Sequence, residues 1–174
     1  MTIEAILLLV ERLMAKWQEV IGESVEVVLG GSLVSGLLLL DEETKVIDVD
    51  VRFLTDDPTN EELRRKVEEV TSLQYRKTIQ VGDWPNGEST GIMVEGFLQL
   101  PECPLPLEVE GCIRSKKYVG WHRFYKTVLT EQELEECRQR KQELRHDKKA
   151  YKAFKAEVRK EVERRCLERG IVTK

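Results

Sequence analysis

Residues 46–53 read Val-Ile-Asp-Val-Asp-Val-Arg-Phe, apolar residues alternating with two carboxylates, a pattern that suits a β-strand and little else. Side chains two apart on a strand share a face, so Asp48 and Asp50 stand side by side within an otherwise β-branched, buried run. Two like charges so placed are costly unless a cation joins them, and no basic residue lies between them. Hard divalent ions such as Mg²⁺ take carboxylate oxygens and keep positions open for water and phosphate. A metal-bound phosphate site is the leading expectation. Arg52, which follows, is assigned to the opposite face, away from any phosphate.

Upstream, Val27-Val-Leu-Gly-Gly-Ser32 ends one apolar run in a small-residue turn. Glycine accepts positive φ and leaves room for a ligand against the backbone, and a helix starting near Leu33 would present its first amides and the Ser32 hydroxyl to a phosphate. Gly36 follows within that segment. Downstream, Leu107-Glu-Val-Glu110 repeats the one-face carboxylate pattern, and Glu95 lies among apolar residues in Ile92-Met-Val-Glu-Gly-Phe97.

Around these motifs the chain organises simply. Apolar residues at helical spacing from Ile3 to Ile21 predict an amphipathic helix over 2–21, ended near Gly22. Strands are expected over 24–29 and 45–54. The turn Thr55-Asp-Asp-Pro-Thr-Asn60 leads into a helix through about Val70. Three more strands are expected over 75–81, 90–100 and 105–114. From 130 to about 168 the sequence is helix-rich. It opens on a capping box at Thr130-Glu-Gln-Glu133 and breaks near His146-Asp147 into two helices. The expected fold class is α/β (α+β), a mixed, mostly antiparallel sheet with helices on one side and a C-terminal helical pair. Residues 1–126 form the main domain and 127–174 a basic helical appendage.

Charge divides along the same line. The chain has 28 Lys/Arg against 32 Asp/Glu, yet 14 Lys/Arg and only 6 Asp/Glu fall between Arg138 and Lys174. That tail either binds a nucleic-acid backbone or forms a solvated face complementing the acidic body. Tyr118, Trp121, Phe124 and Tyr125, interleaved with Arg114, Lys116, Lys117, Arg123 and Lys126, either stack on a base or anchor the C-terminal helices. His122 reads as a packing histidine before a catalytic base. Cys103, Cys112, Cys137 and Cys166 lack the spacing of a zinc site and are expected as free or structural thiols. No apolar run approaches the roughly 20 residues that cross a bilayer, and the N-terminus lacks an export signal, so the expected location is cytoplasmic, with no membrane partner.

In their order, Gly31, Ser32, Gly36, Asp48 and Asp50 resemble the nucleotidyltransferase superfamily, which includes DNA polymerase β, the minimal nucleotidyltransferases and the antibiotic nucleotidyltransferases. The resemblance implies that Asp48 and Asp50 bind two Mg²⁺ ions, with a third acid from a later strand. Glu110 is favoured for that place, Glu108 is close behind and Glu95 is in reserve. It also implies that Gly30, Gly31, Ser32 and Gly36 form the turn holding the phosphates of a nucleoside triphosphate, and that a nucleoside monophosphate passes to a hydroxyl acceptor with release of pyrophosphate. Small molecule, nucleic acid and protein all remain open as acceptor, as does a homodimer. The fifteen residues between Ser32 and Asp48 exceed the family's usual spacing, and Leu40-Asp-Glu-Glu-Thr44 reads as an inserted turn. The competing readings are a non-catalytic nucleic-acid-binding module and an antitoxin-like interaction protein.

Overall fold

The computed structural model describes residues 1–172. Helix α1 (Ile3–Ile21) begins where the Thr2 hydroxyl accepts a hydrogen bond from the Ala5 amide, and ends at Gly22. Its buried stripe of Ile6, Val10, Met14, Trp17 and Ile21 packs into the main core. Strand β1 (Glu26–Gly30) runs into a one-turn helix α2 (Gly31–Ser35), and strand β2 (Ile47–Thr55) follows a long connection. Asn60 caps α3 (Glu61–Thr71), after which come β3 (Gln74–Gly82), β4 (Glu88–Leu98) and β5 (Leu107–Ser115).

The strands form one sheet in the order β1-β2-β5-β4-β3. All neighbours are antiparallel except β2 and β5, which pair in parallel. The expected class is therefore found: a mixed, mostly antiparallel α+β sheet followed by a C-terminal helical pair. Strand ends differ from the sequence reading by one or two residues, because pairing partners rather than local composition decide where a ladder stops.

Each strand has a core face and an open face. Ile47, Val49, Val51 and Phe53 of β2 and Leu107, Val109 and Ile113 of β5 are buried in the core with α1 and α3 residues, with Trp17 6.3 Å from Phe53 between ring centres. The intervening residues carry the charges. Asp48 is exposed and Asp50 half-buried, so the two aspartates do not sit in the core as the buried reading of their strand implied.

After β5, a 3₁₀ turn (Trp121–Phe124) and short α4 (Tyr125–Val128) lead to α5 (Glu131–Leu144) and α6 (Lys148–Glu168), broken where expected. Thr130 and Glu133 form the capping box, and Asp147 caps α6. Trp121, Tyr125, Val128, Leu134, Val162 and Cys166 build a second apolar cluster, so Trp121 and Tyr125 anchor the C-terminal helices. The two helices are also clamped at one end: Arg165 donates to both carboxylate oxygens of Glu133 at 2.8 and 2.6 Å and to the Val128 carbonyl at 2.9 Å. All four cysteines are free, and among the described residues no helix is long and apolar enough to cross a membrane.

Candidate active site

The parallel pairing of β2 and β5 sets Asp48 opposite Glu108 and Asp50 opposite Glu110. Antiparallel pairing with β4 continues both rows, with Phe97 beyond Glu108 and Glu95 beyond Glu110. In-register neighbours stand about 4.8 Å apart, so five carboxylates share one patch of the open face. They form the floor of a groove of about 1140 Å³, whose lining also includes Gly31 and Ser32.

The strongest sign of crowding is at Glu108. Partial desolvation raises the pKa of its carboxyl, and so does the charge of Asp48 opposite it. The two glutamates put forward for the third acid are placed alike in the register, Glu108 facing Asp48 and Glu110 facing Asp50. Two facing carboxylates with a third next to them suit a hard cation. As the side chains stand, no three His, Cys, Asp or Glu among the described residues converge enough to enclose one. The donor chemistry of Asp48, Asp50 and Glu108, carboxylate oxygens in neighbouring positions, is of the kind a hard cation takes.

The glycine turn is fitted to this floor. Gly31 adopts φ +69°, and a Cβ there would collide with the Asp50 carboxylate, so only glycine lets the turn rest on that aspartate. Gly30 lacks a side chain where the Tyr118 hydroxyl lies, 3.2 Å from the position a Cβ would take. Tyr118 is itself held by the Arg114 guanidinium, 4.4 Å from its ring centre. Arg114 in turn pairs with buried Asp83 at 2.6 Å, and Asp83 also accepts from the Ser89 hydroxyl. The β3–β4 hairpin is thus tied to the back of the turn through a buried ion pair. Helix α2 is a single turn and adds little dipole, so the expected helix-end contribution reduces to the turn's amides and the Ser32 hydroxyl.

Gly36 does not line the groove. It ends α2 in the left-handed conformation at φ +83°, and its carbonyl accepts from Arg138 at 2.9 Å. The inserted turn that follows is held by the same helix: Lys141 donates to the Leu37 carbonyl at 2.8 Å, and Arg145 pairs with Asp41 and Glu43 at 3.0 Å each. The long Ser32–Asp48 spacing is therefore a loop fastened to α5.

Arg52 corrects the sequence reading. Two residues beyond Asp50, it shares that residue's face, lies 4.0 Å from its carboxylate and lines the groove. Several basic residues of the tail, Lys141, Lys152, Lys155, Arg159 and Lys160, which the sequence offered either to a nucleic-acid backbone or to a solvated face, line the same groove as the acids. Helix α6 crosses the open face, bringing Tyr151, Lys152, Lys155, Arg159 and Lys160 opposite the acids, and α5 adds Lys141. Burial lowers the Lys141 pKa to about 8 against the opposing pull of Asp48 and Asp50. His122 also reaches the groove, stacked on Tyr125 with ring centres 5.1 Å apart, and burial lowers its pKa to about 4, so it is neutral at pH 7. The signals that could have revealed these were the parity of Arg52 and the Glu95-x-Phe97 alternation; the path of α6 had no local signal.

No protein-family model matches the chain, and no curated protein matches it.

Proposed function

We propose that the chain is a Mg²⁺-dependent nucleotidyltransferase with a nucleotidyltransferase-like fold, moving a nucleoside monophosphate from a nucleoside triphosphate to a hydroxyl acceptor. The observation that carries this reading is the register of β2 against β5, which faces Asp48-x-Asp50 with Glu108-x-Glu110 beneath a glycine turn packed on Asp50. Like charges gathered at a groove, under a turn with free amides and a hydroxyl, suit a metal-bound polyphosphate better than an inert surface.

In this reading Asp48, Asp50 and Glu108 hold the metal, and Glu110 stands next to them in the second row. Mg²⁺, when bound, supplies charge neutralisation at the phosphates and a lower pKa for the acceptor hydroxyl. The Gly31–Ser32 turn holds the β- and γ-phosphates, with Lys141 and Arg52 at its sides. The acceptor oxygen attacks the α-phosphorus in line, the bond to the β-phosphate oxygen breaks, and pyrophosphate leaves. The hydroxyl proton passes to a floor carboxylate and then to water.

The test is pyrophosphate release from each triphosphate with Mg²⁺, comparing the parent chain with Asp50→Asn. The variant keeps the side-chain volume that Gly31 rests on. Release at least 100-fold slower in the variant supports the proposal; equal release from both, or none from the parent with any triphosphate, sinks it.

A further inference from the structure

Helix α6 presents to the groove Lys152, Lys155, Ala156, Arg159 and Lys160, spaced i, i+3, i+4, i+7 and i+8. The half-buried Tyr151, Phe154 and Val158 of the same helix also line the groove, at the spacing of an amphipathic helix's apolar face. Beside this apolar row, which Val162 and Cys166 continue into the second cluster, the cations form an exposed stripe along the groove. Lys152, Lys155 and Lys160 are exposed, and they span about 12 Å of helix, more than one phosphate group can engage.

The charge balance of the groove points the same way. Five carboxylates and seven Lys/Arg line it. Two divalent ions and one triphosphate neutralise each other closely, so the loaded groove keeps its cationic excess, on the α6 wall opposite the acidic floor. An acceptor suited to that wall is itself anionic at several points. The groove volume of about 1140 Å³ exceeds the range of about 300–1,000 Å³ typical of a site for one small ligand.

The sheet supplies the other half of the recognition. Phe97 is 67% exposed, an unusual state for a large aromatic side chain on a sheet face, and it stands next to Glu108 in the register. Tyr75, another aromatic residue of the groove lining, already has the Arg64 guanidinium over its ring at 4.9 Å, whereas Phe97 has no aromatic or cationic partner among the described residues. A free ring in one groove with a row of lysines is the combination by which single-stranded nucleic acids are held, a base on the ring and phosphates on the cations.

Building on the nucleotidyl-transfer reading, we propose that the acceptor is the 3′ end of a single-stranded nucleic acid, its last base stacked on Phe97 and its backbone along Lys152, Lys155 and Lys160. The 3′ oxygen forms the new bond to the α-phosphorus, pyrophosphate leaves, and the strand grows by one nucleotide.

The test uses the full chain with Mg²⁺ and fluorescent ten-nucleotide RNA and DNA strands, each with a free and with a blocked 3′ hydroxyl. Elongation of the free strand alone is expected, and the RNA and DNA arms identify the sugar. Three phosphate contacts weaken binding about 20-fold between 50 and 200 mM salt. Phe97→Ala, at an exposed position that the fold tolerates, is expected to weaken it about 10-fold. Joint replacement of Lys152, Lys155 and Lys160 by Ala is expected to flatten the salt dependence. Triphosphate binding, measured alongside, separates the failures. If triphosphate binds but the strand is not extended, or its affinity ignores both variants, the acceptor assignment falls alone; if no triphosphate binds, both proposals fall.

Discussion

The same strands make two unlike faces. Along β2, Ile47, Val49, Val51 and Phe53 are buried against the helices, while Asp48, Asp50 and Arg52 look into the groove; along β5, Leu107, Val109 and Ile113 alternate with Glu108 and Glu110 in the same way. The closed face is held by burial of apolar area, which favours the folded chain outright. The open face gathers like charges, which disfavour it. Such a face is tolerated because the other supplies the stability.

The largest effect expected from this contrast is on the closed face. Phe53 is fully buried and packs near Trp17. Phe53→Ala should cost about 3–5 kcal/mol of stability in a denaturant titration. A loss below 1 kcal/mol would mean that the closed face is not the source of stability.

A middle-sized effect belongs to His122, at the border between the groove and the second apolar cluster. Its folded pKa of about 4 lies below the ordinary value near 6.5. Between those values the unfolded chain binds more protons, so this group's contribution is intact above pH 6.5 and is lost as the pH falls toward 4. Relative to His122→Gln, the parent should lose about 2 kcal/mol between pH 7 and 4.5. A difference that does not change with pH would contradict the buried, neutral assignment.

The smallest effect is the most distinctive, because its sign is reversed. Glu108 has a raised folded pKa, so it favours folding only in its protonated form, and that advantage disappears as the pH rises through the folded value. Glu108→Gln should therefore be more stable than the parent at pH 7 by about 0.5 kcal/mol, a figure reduced for the solvent around this exposed group. The gain should vanish below pH 4, and also when Mg²⁺ is added to the parent. A Glu108→Gln variant less stable at pH 7 would show that Glu108 is not under charge repulsion.

The two faces were also unequally legible in the sequence. Element order, the α1 stripe, the Thr130 capping box and the break before α6 are written in local periodicity and capping residues, and they are found. That β2 and β5 pair in register was not legible, but Asp48 with Asp50 and Glu108 with Glu110 could be paired in advance because strand alternation fixes which side chains share a face. That rule also places Arg52 with Asp50, so its misassignment was an error of parity. The burial expected for the aspartates, and the groove role expected for Gly36, failed because both depend on what packs opposite. Helix α6 lies about 100 residues beyond β2 in the chain, and no local pattern reports which face of a sheet so distant a helix will cross.

The most direct measurement is a calorimetric titration of the parent chain and Asp50→Asn with a non-hydrolysable nucleoside triphosphate, with and without Mg²⁺. Binding by the parent that requires Mg²⁺, weakened at least 10-fold in Asp50→Asn, is the expected result. Binding that is absent with every base, or is equal without Mg²⁺ and in the variant, would contradict a metal and triphosphate site on the open face.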